Sequence, residues 1–402
     1  MTGILFVVTH LHGIGHLRRI GVLARACSER GLEATVVSGG RPLRDLDLGD
    51  ARLIQLEPWL RSRDERFAEL LGPGDRPLND DMRSKRRERM LAILAETAPK
   101  VLVTEHYPFG RGKLRFELEP LVETARAQSP RPWIVSSVRD LLVRKPAEKT
   151  RWMAEAAMEY DRILVHGDPE LIPFELSFAQ AKAIAEKLVY TGYVTEPPKP
   201  RQKEPERETT GGEVLVSAGG GAFGREFLQS AVSARPLSSA RHLPWRLLVG
   251  DNLPEQDFRA LSLTADDGIE VQRAQPDFTA QLARCALSIS QGGYNTAVDV
   301  LRAGCPAVIV PYEQGCQSEQ RQRADLLHKS GWLTCAAGGD RDPGLLAAAI
   351  DRELTVRRRS SRQRGPGPLP KLNGAEAAAE ILANLAAIVP APDPGDQPRG
   401  HC

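Results

Sequence analysis

The chain has 402 residues, with 54 basic and 52 acidic side chains, a net charge of +2, and 41% hydrophobic against 26% charged residues. That balance excludes a disordered or fibrous chain and the strong positive field of a general nucleic-acid binder, so no nucleic-acid partner is expected. No apolar run approaches the roughly 20 residues that span a bilayer. The six cysteines (27, 285, 305, 316, 335 and 402) form no Cys-x-x-Cys pair, which reads as reduced thiols in a cytoplasmic protein.

The first forty residues predict a βαβ unit. The apolar run 4–8 reads as a strand buried on both faces; it is too short for a signal-peptide core, and no Lys or Arg precedes it. The loop His10-Leu11-His12-Gly13-Ile14-Gly15-His16 follows, then apolar residues at helical spacing over 17–30, closed by Gly31. A strand at 34–38 completes the unit. A charged helix over 79–96 and strands at 101–104, 133–137, 162–166 and 188–190 continue the alternation, so an α/β fold with parallel sheets covered by helices is expected.

Residues 196–212 are rich in proline and charge and have no periodic apolar face, as an interdomain linker would be. A second α/β pattern starts at once. Its strands fall at 213–217, 245–249, 269–272, 287–290 and 307–310, and its helices at 223–233, 276–284, 296–303 and 317–329. The basic run 357–364, a Gly/Pro stretch, an amphipathic helix over 375–388 and a Pro-rich tail end the chain. The expected organisation is therefore two α/β domains, 1–195 and 213–356, joined by 196–212 and followed by 357–402.

The glycine loops narrow the chemistry. Gly13 and Gly15 follow the first strand, but Arg18 stands where a dinucleotide loop needs its third glycine. The second strand ends Val37-Ser38-Gly39, with no acid for a ribose, so NAD is not expected here. No GxxxxGK[ST] segment is present, which excludes a P-loop NTPase. Asp45 and Asp47 could ligate a divalent ion but lack flanking ligands and read as a solvated turn. Gly219-Gly220-Gly221 opens a helix. Bare backbone amides there can bind a diphosphate without a lysine, and three consecutive glycines exceed what a turn needs.

The most specific segment is 288–311. A strand ends in Gln291-Gly292-Gly293, a helix starts with Asn295-Thr296 and carries Asp299, Gly304-Cys305-Pro306 ends it, and a buried strand leads to Pro311. This resembles the donor-nucleotide motif of family 28 glycosyltransferases, the family of the peptidoglycan GlcNAc transferases, and is similar to the signature of plant and antibiotic glycosyltransferases of GT-B fold. The opening His10-Leu11-x-Gly13-Ile14-Gly15-His16-Leu17-Arg18-Arg19 resembles a bacterial branch of predicted glycosyltransferases, and Thr191-Gly192 looks like the segment leading into the family's interdomain crossover.

The resemblance implies two Rossmann-like domains facing across a cleft, with acceptor on the first and nucleotide-sugar donor on the second. It implies that Asp299, where the family usually has Glu, holds the ribose hydroxyls. Gly292, Gly293 and the adjacent Asn295 and Thr296 would hold the diphosphate with Gly219–Gly221, and Glu319-Gln320 would face the donor sugar. The donor is expected to be UDP-linked and the transfer inverting and metal-independent, with no cofactor. The acceptor stays open; a lipid-linked acceptor at the inner membrane surface, met by a cytoplasmic protein peripheral to the membrane, is one option.

A base should project from the first domain. His16 is the first choice, because imidazole titrates near working pH and the residue stands beside two glycines where a helix begins; a capping or packing histidine is the alternative. His10 and His12 flank the same loop. Glu105-His106 and Arg139-Asp140 fall at strand carboxyl ends, where either pair could contact acceptor or be solvated loop. The basic run 83–89 reads as a solvated helix face. The run 357–364 could attract an anionic membrane surface or serve as a plain connector. A nucleotide-sugar epimerase of the same fold and a non-catalytic sugar-nucleotide-binding protein are the rival readings.

Overall fold

The structure, a computed structural model, describes residues 3–11, 13–43, 45–61, 69–195, 212–219, 224–250, 253–274, 278–313, 318–359 and 369–390. His12, Gly220, Gly221, linker residues 196–211 and the basic run from residue 360 onward lie outside them.

The apolar runs become two parallel sheets. The first contains β1 (Gly3–Val8), β2 (Glu33–Ser38) and β3 (Arg52–Gln55). A short antiparallel hairpin, β4 (Leu60–Arg61) and β5 (Leu70–Leu71), stands apart. The sheet resumes with β6 (Val101–Glu105), β7 (Trp133–Arg139), β8 (Arg162–His166) and β9 (Leu188–Tyr190). Its order is β3-β2-β1-β6-β7-β8-β9. The second sheet is built from β10 (Val214–Ser217), β11 (Trp245–Val249), β12 (Ile269–Arg273), β13 (Leu287–Ser290), β14 (Ala307–Ile309) and β15 (Thr334–Cys335), in the order β12-β11-β10-β13-β14-β15. All strands in each sheet are parallel, and the order in which the chain adds them reverses once, between β1 and β6 and between β10 and β13. Loops leaving the carboxyl ends there diverge to opposite faces and open a crevice, where ligands of such sheets bind.

The helices are α1 (Gly15–Ser28), α2 (Asp80–Thr97), α3 (Arg115–Arg126) and α4 (Ala147–Ala157) in the first half. The second half has α5 (Arg225–Ala234), α6 (Glu255–Thr264), α7 (Phe278–Leu282), α8 (Tyr294–Ala303), α9 (Glu319–Lys329) and α10 (Pro343–Arg359). The chain ends its described part with α11 (Gly374–Ala387). Asn79 caps α2, its side chain accepting from the Met82 amide at 2.8 Å, as expected of Asn before a helix. The helices α3, α4, α6 and α10 were not legible from the sequence, and α10 carries the helix through Arg359, into the stretch expected to be a connector.

Two apolar layers cover the first sheet and two the second, and two of these layers draw on distant parts of the chain. Ala375, Ala378, Ala379, Leu382 and Ala386 of α11 pack with Leu17, Ile20 and Leu23 of α1 in the core of the first domain. The last helix therefore returns to the beginning of the chain. Leu141, Ile172 and Tyr193 of the first half join Tyr294, Ala297, Val298 and Leu301 of the second in one cluster, so apolar burial holds the two domains together. Within 83–89, Arg86 departs from the expected solvated face. It is buried, stacks 4.5 Å from the centre of the Trp59 ring and pairs with buried Glu117 at 3.1 Å. No helix among the described residues is long and apolar enough to cross a membrane.

Candidate active site

The carboxyl ends of the two sheets face each other, and the predicted residues of both halves gather there. On the first domain, β1 runs into the loop of His10 and Gly13, and α1 begins at Gly15 with His16 as its second residue. His16 Nδ1 lies 2.6 Å from Oε1 of Glu105, the last residue of β6. The Glu105 side chain is fully buried, while the His16 side chain keeps 19% of its surface. One ring nitrogen is thus fixed by a carboxylate, leaving Nε2 for another partner. Arg19, one turn further along α1 and so on the same face, donates to the same Glu105 oxygen at 2.5 Å, and Arg111 Nη2 stands 3.7 Å from the other.

These contacts set the protonation states. Burial opposes ionisation of Glu105, but His16, Arg19 and Arg111 hold its carboxyl well below the usual range. Burial, with help from Arg111 and Arg19, pushes the His16 imidazole down to about 3 against the pull of Glu105. The pair is therefore a buried carboxylate orienting a neutral imidazole; the fall to about 3 departs from the expected titration near working pH, because burial outweighs Glu105, while the free nitrogen keeps the orientation an acceptor hydroxyl needs.

On the second domain, the two glycine loops leave neighbouring strands. Ser217 and Ser290 are register partners at the ends of β10 and β13. Gly219 has φ +70°, a left-handed conformation, and a Cβ built there would lie 3.9 Å from Thr296 Oγ1. The 219 loop and the start of α8 thus lie side by side. Gly292 is packed tightly, since a Cβ would lie 2.9 Å from Ile309 Cγ2 and 3.2 Å from the Gln320 carbonyl oxygen. Gly293, at the start of α8, faces open space, with nothing within 4 Å of its notional Cβ. A helix N-terminus with bare amides and open space before it suits an anion. Asp299 is half-buried on the same helix. Gln320 Oε1 accepts from the Tyr312 amide at 3.1 Å, which fixes its side chain on the turn after β14.

The halves touch across the cleft at the motif itself. Asn295 Nδ2 reaches the Gly15 carbonyl oxygen at 3.5 Å, the residue before His16. Tyr294 donates to the His166 carbonyl oxygen at 2.8 Å, and its ring lies between Arg19 (5.4 Å) and Arg323 (5.7 Å). The last residue of β7 and the one after it meet two residues one turn apart on α9, with opposite sense. Asp140 accepts from Arg323 Nε at 2.9 Å and Nη2 at 2.6 Å, while Arg139 Nη2 stands 3.6 Å from Glu319 Oε1. Arg323 also donates to the Gly292 carbonyl oxygen at 3.0 Å, tying this pair to the loop between β13 and α8.

Two residues expected on the acceptor side are buried and paired. Asp140 has no exposed side-chain surface and both its oxygens accept from Arg323, so it links the two halves. Glu105 likewise has no exposed surface; it supports His16 from behind. Gly13 is open, with nothing within 4 Å of a notional Cβ. Sequence reasoning missed Arg19, Arg111, Tyr294 and Arg323. Arg19 three residues after His16 and Arg323 four after Glu319 were the available helical signals; nothing local marked Arg111.

Two parallel α/β domains with facing carboxyl ends and a motif loop bridging the cleft define a GT-B protein. Residues 215–380 match the glycosyltransferase family 28 C-terminal domain, and the two-domain fold is of GT-B type. It is 25% identical over 177 residues to a UDP-N-acetylglucosamine–N-acetylmuramyl-(pentapeptide) pyrophosphoryl-undecaprenol N-acetylglucosamine transferase of Brucella canis, a span covering 42% of this chain and 45% of that relative. The whole fold is similar to that of the calicheamicin glycosyltransferase CalG4, with TM-score 0.63 and 16% identity over 97% of this chain and all of the other. It is similar also to a putative UDP-N-acetylglucosamine 2-epimerase from Listeria monocytogenes, with TM-score 0.60 and 12% identity over 94% of each chain.

Proposed function

We propose that the chain is an inverting, metal-independent glycosyltransferase that moves a sugar from a UDP-linked donor to a hydroxyl of its acceptor. The observation that carries this reading is the His16–Glu105 pair one residue along from Gly15, whose carbonyl oxygen accepts from Asn295 of the second domain's glycine motif. Nε2 of His16 takes the proton of the acceptor hydroxyl. The oxygen attacks the anomeric carbon from the face opposite the diphosphate, the new C–O bond forms as the bond to the diphosphate breaks, and the electron pair leaves with UDP. Amides at Gly293 and Gly219 meet the charge that develops on the leaving group. Asp299 binds the ribose, and Asn295, Thr296 and the free amide end of Gln320 bind the diphosphate and sugar. Glu319 holds Arg139 and meets the sugar through its remaining oxygen. An epimerase is disfavoured because the cleft carboxylates of Glu105, Asp140 and Glu319 are each engaged by a cationic or imidazole partner. A lipid-linked acceptor fits the name of the Brucella relative.

The test is thermal unfolding with UDP, GDP, dTDP and CDP, with and without EDTA, on wild type and Asp299→Ala. A ligand at 100 times its Kd adds about 2.7 kcal/mol. Stabilisation of the wild type by UDP, insensitive to EDTA and lost in the variant, is expected. No response to any nucleoside diphosphate overturns the reading. Conversion of a UDP-sugar without acceptor replaces it with the epimerase.

A further inference from the structure

The wall of the cleft beside His16 holds cationic and imidazole groups with buried nitrogens that make no hydrogen bond among the described residues. Arg111 leaves Nε and Nη2 without a hydrogen bond although both are buried, Arg139 leaves Nε so, and His106 leaves Nδ1 so. His10, 2% exposed, has neither ring nitrogen bonded. Buried donors of this kind cost free energy unless something fills them. They are also held in place. The His106 ring lies 5.3 Å from that of His16, and a Cβ on Gly110 would lie 2.3 Å from it. His106 and Arg111 both have left-handed backbones, with φ +65° and +60°, a conformation that side chains bear where surrounding structure imposes it, often at ligand sites. Around the cleft four guanidinium groups (Arg19, Arg111, Arg139, Arg323) face three carboxylates (Glu105, Asp140, Glu319). Arg323 is matched by Asp140 and Arg19 by Glu105, whereas Arg111 and Arg139 meet their carboxylates only at 3.7 and 3.6 Å.

We infer that Arg111, Arg139 and His106 form an oxyanion subsite for the acceptor, which carries a carboxylate or phosphate group close to the hydroxyl that reacts. A planar guanidinium fork suits either group, and the subsite would orient the acceptor hydroxyl toward Nε2 of His16. The assignment rests on the proposed transferase reading for its purpose, but its binding chemistry is measurable alone. The rival source of an oxyanion is the donor diphosphate.

The experiment is calorimetric titration of the full chain with inorganic phosphate and, separately, with benzoate, each with and without saturating UDP. The variants are Arg111→Gly, Arg139→Gln and, as a control on α6, Arg259→Gln. Glycine keeps the left-handed backbone at residue 111 without strain, so that variant separates loss of the guanidinium from loss of the fold. Expected is binding of at least one anion that survives saturation with UDP, weakens at least about tenfold in Arg111→Gly and Arg139→Gln, and is unchanged in Arg259→Gln. Binding that UDP abolishes assigns the arginines to the donor diphosphate and overturns the inference, as does binding unaffected by Arg111→Gly or no binding of either anion. Failure of UDP itself to bind counts against the transferase reading and leaves the anion titration readable.

Discussion

His16 Nδ1 and Glu105 Oε1 stand 2.6 Å apart although 89 positions separate them in the chain. The carboxylate fixes which imidazole nitrogen faces the cleft, so its loss should affect turnover more than donor binding. Glu105→Gln keeps the shape and removes the charge. Turnover, read as UDP release from a UDP-sugar, should fall by about 100-fold or more while the donor KM stays within about twofold. Equal loss in both parameters would instead make Glu105 a general structural support.

Acid should weaken the fold through its histidines. Burial holds His10 near about 4 and His16 near about 3, and pushes His106 and His166 well below the ordinary 6.5. As pH falls below about 6.5 the unfolded chain binds protons that the folded chain refuses. Stability is therefore complete above that pH and declines below it, by up to about 1.4 kcal/mol per pH unit for each histidine until its folded pKa is reached. Urea denaturation between about pH 7 and about pH 5 reads the slope. His10→Asn should flatten it by about one proton. A level profile over that range would contradict the assignment.

The Arg323–Asp140 pair joins the domains with side chains only 1% and 0% exposed. Removing one partner leaves the other charge buried alone, so Arg323→Met should cost about 3–5 kcal/mol in chemical denaturation. Because Arg323 also holds the Gly292 carbonyl, donor affinity should fall too. The double variant Arg323→Met with Asp140→Leu should recover most of the stability but not the donor affinity. If it recovers both, Arg323 does not position the loop.

Two adjacent glycines should behave differently. Gly292→Ala places a methyl 2.9 Å from Ile309 Cγ2 and should destabilise by about 1–3 kcal/mol. Gly293 has φ −57° and open space at its Cβ position, so Gly293→Val should leave Tm nearly unchanged yet weaken UDP binding at least about tenfold by blocking approach to the amides. Unchanged UDP affinity in Gly293→Val would move the diphosphate elsewhere.

Much of the scaffold was legible because its signals are local. A strand buried on both faces must be a run such as 4–8 or 214–217, and a helix between two such strands forces parallel pairing. The loop between β13 and α8 was legible too, since glycines at 292 and 293 before a helix are a contiguous pattern. His16 stood out by its place between a glycine and a helix. Charged residues carry the opposite lesson. Their default place is solvent, so nothing in the stretch 83–89 announced that Arg86 would be buried on Trp59, and nothing around 105, 139–140, 319 or 323 announced which would face a ligand and which would be sealed in a pair.

The sequence by itself determined two wound α/β sheets and set a glycine loop and a histidine at the ends of their strands, because each follows from neighbours along the chain and from the period of apolar residues. Only the tertiary structure decided that Glu105 stands behind His16, that Asp140 is spent on Arg323, that α11 closes the first core, and that Arg111 and Arg139 are left with unsatisfied donors. Those outcomes depend on which charges meet across as many as 183 positions of chain, and on how much water the packing around them removes, which no local pattern encodes.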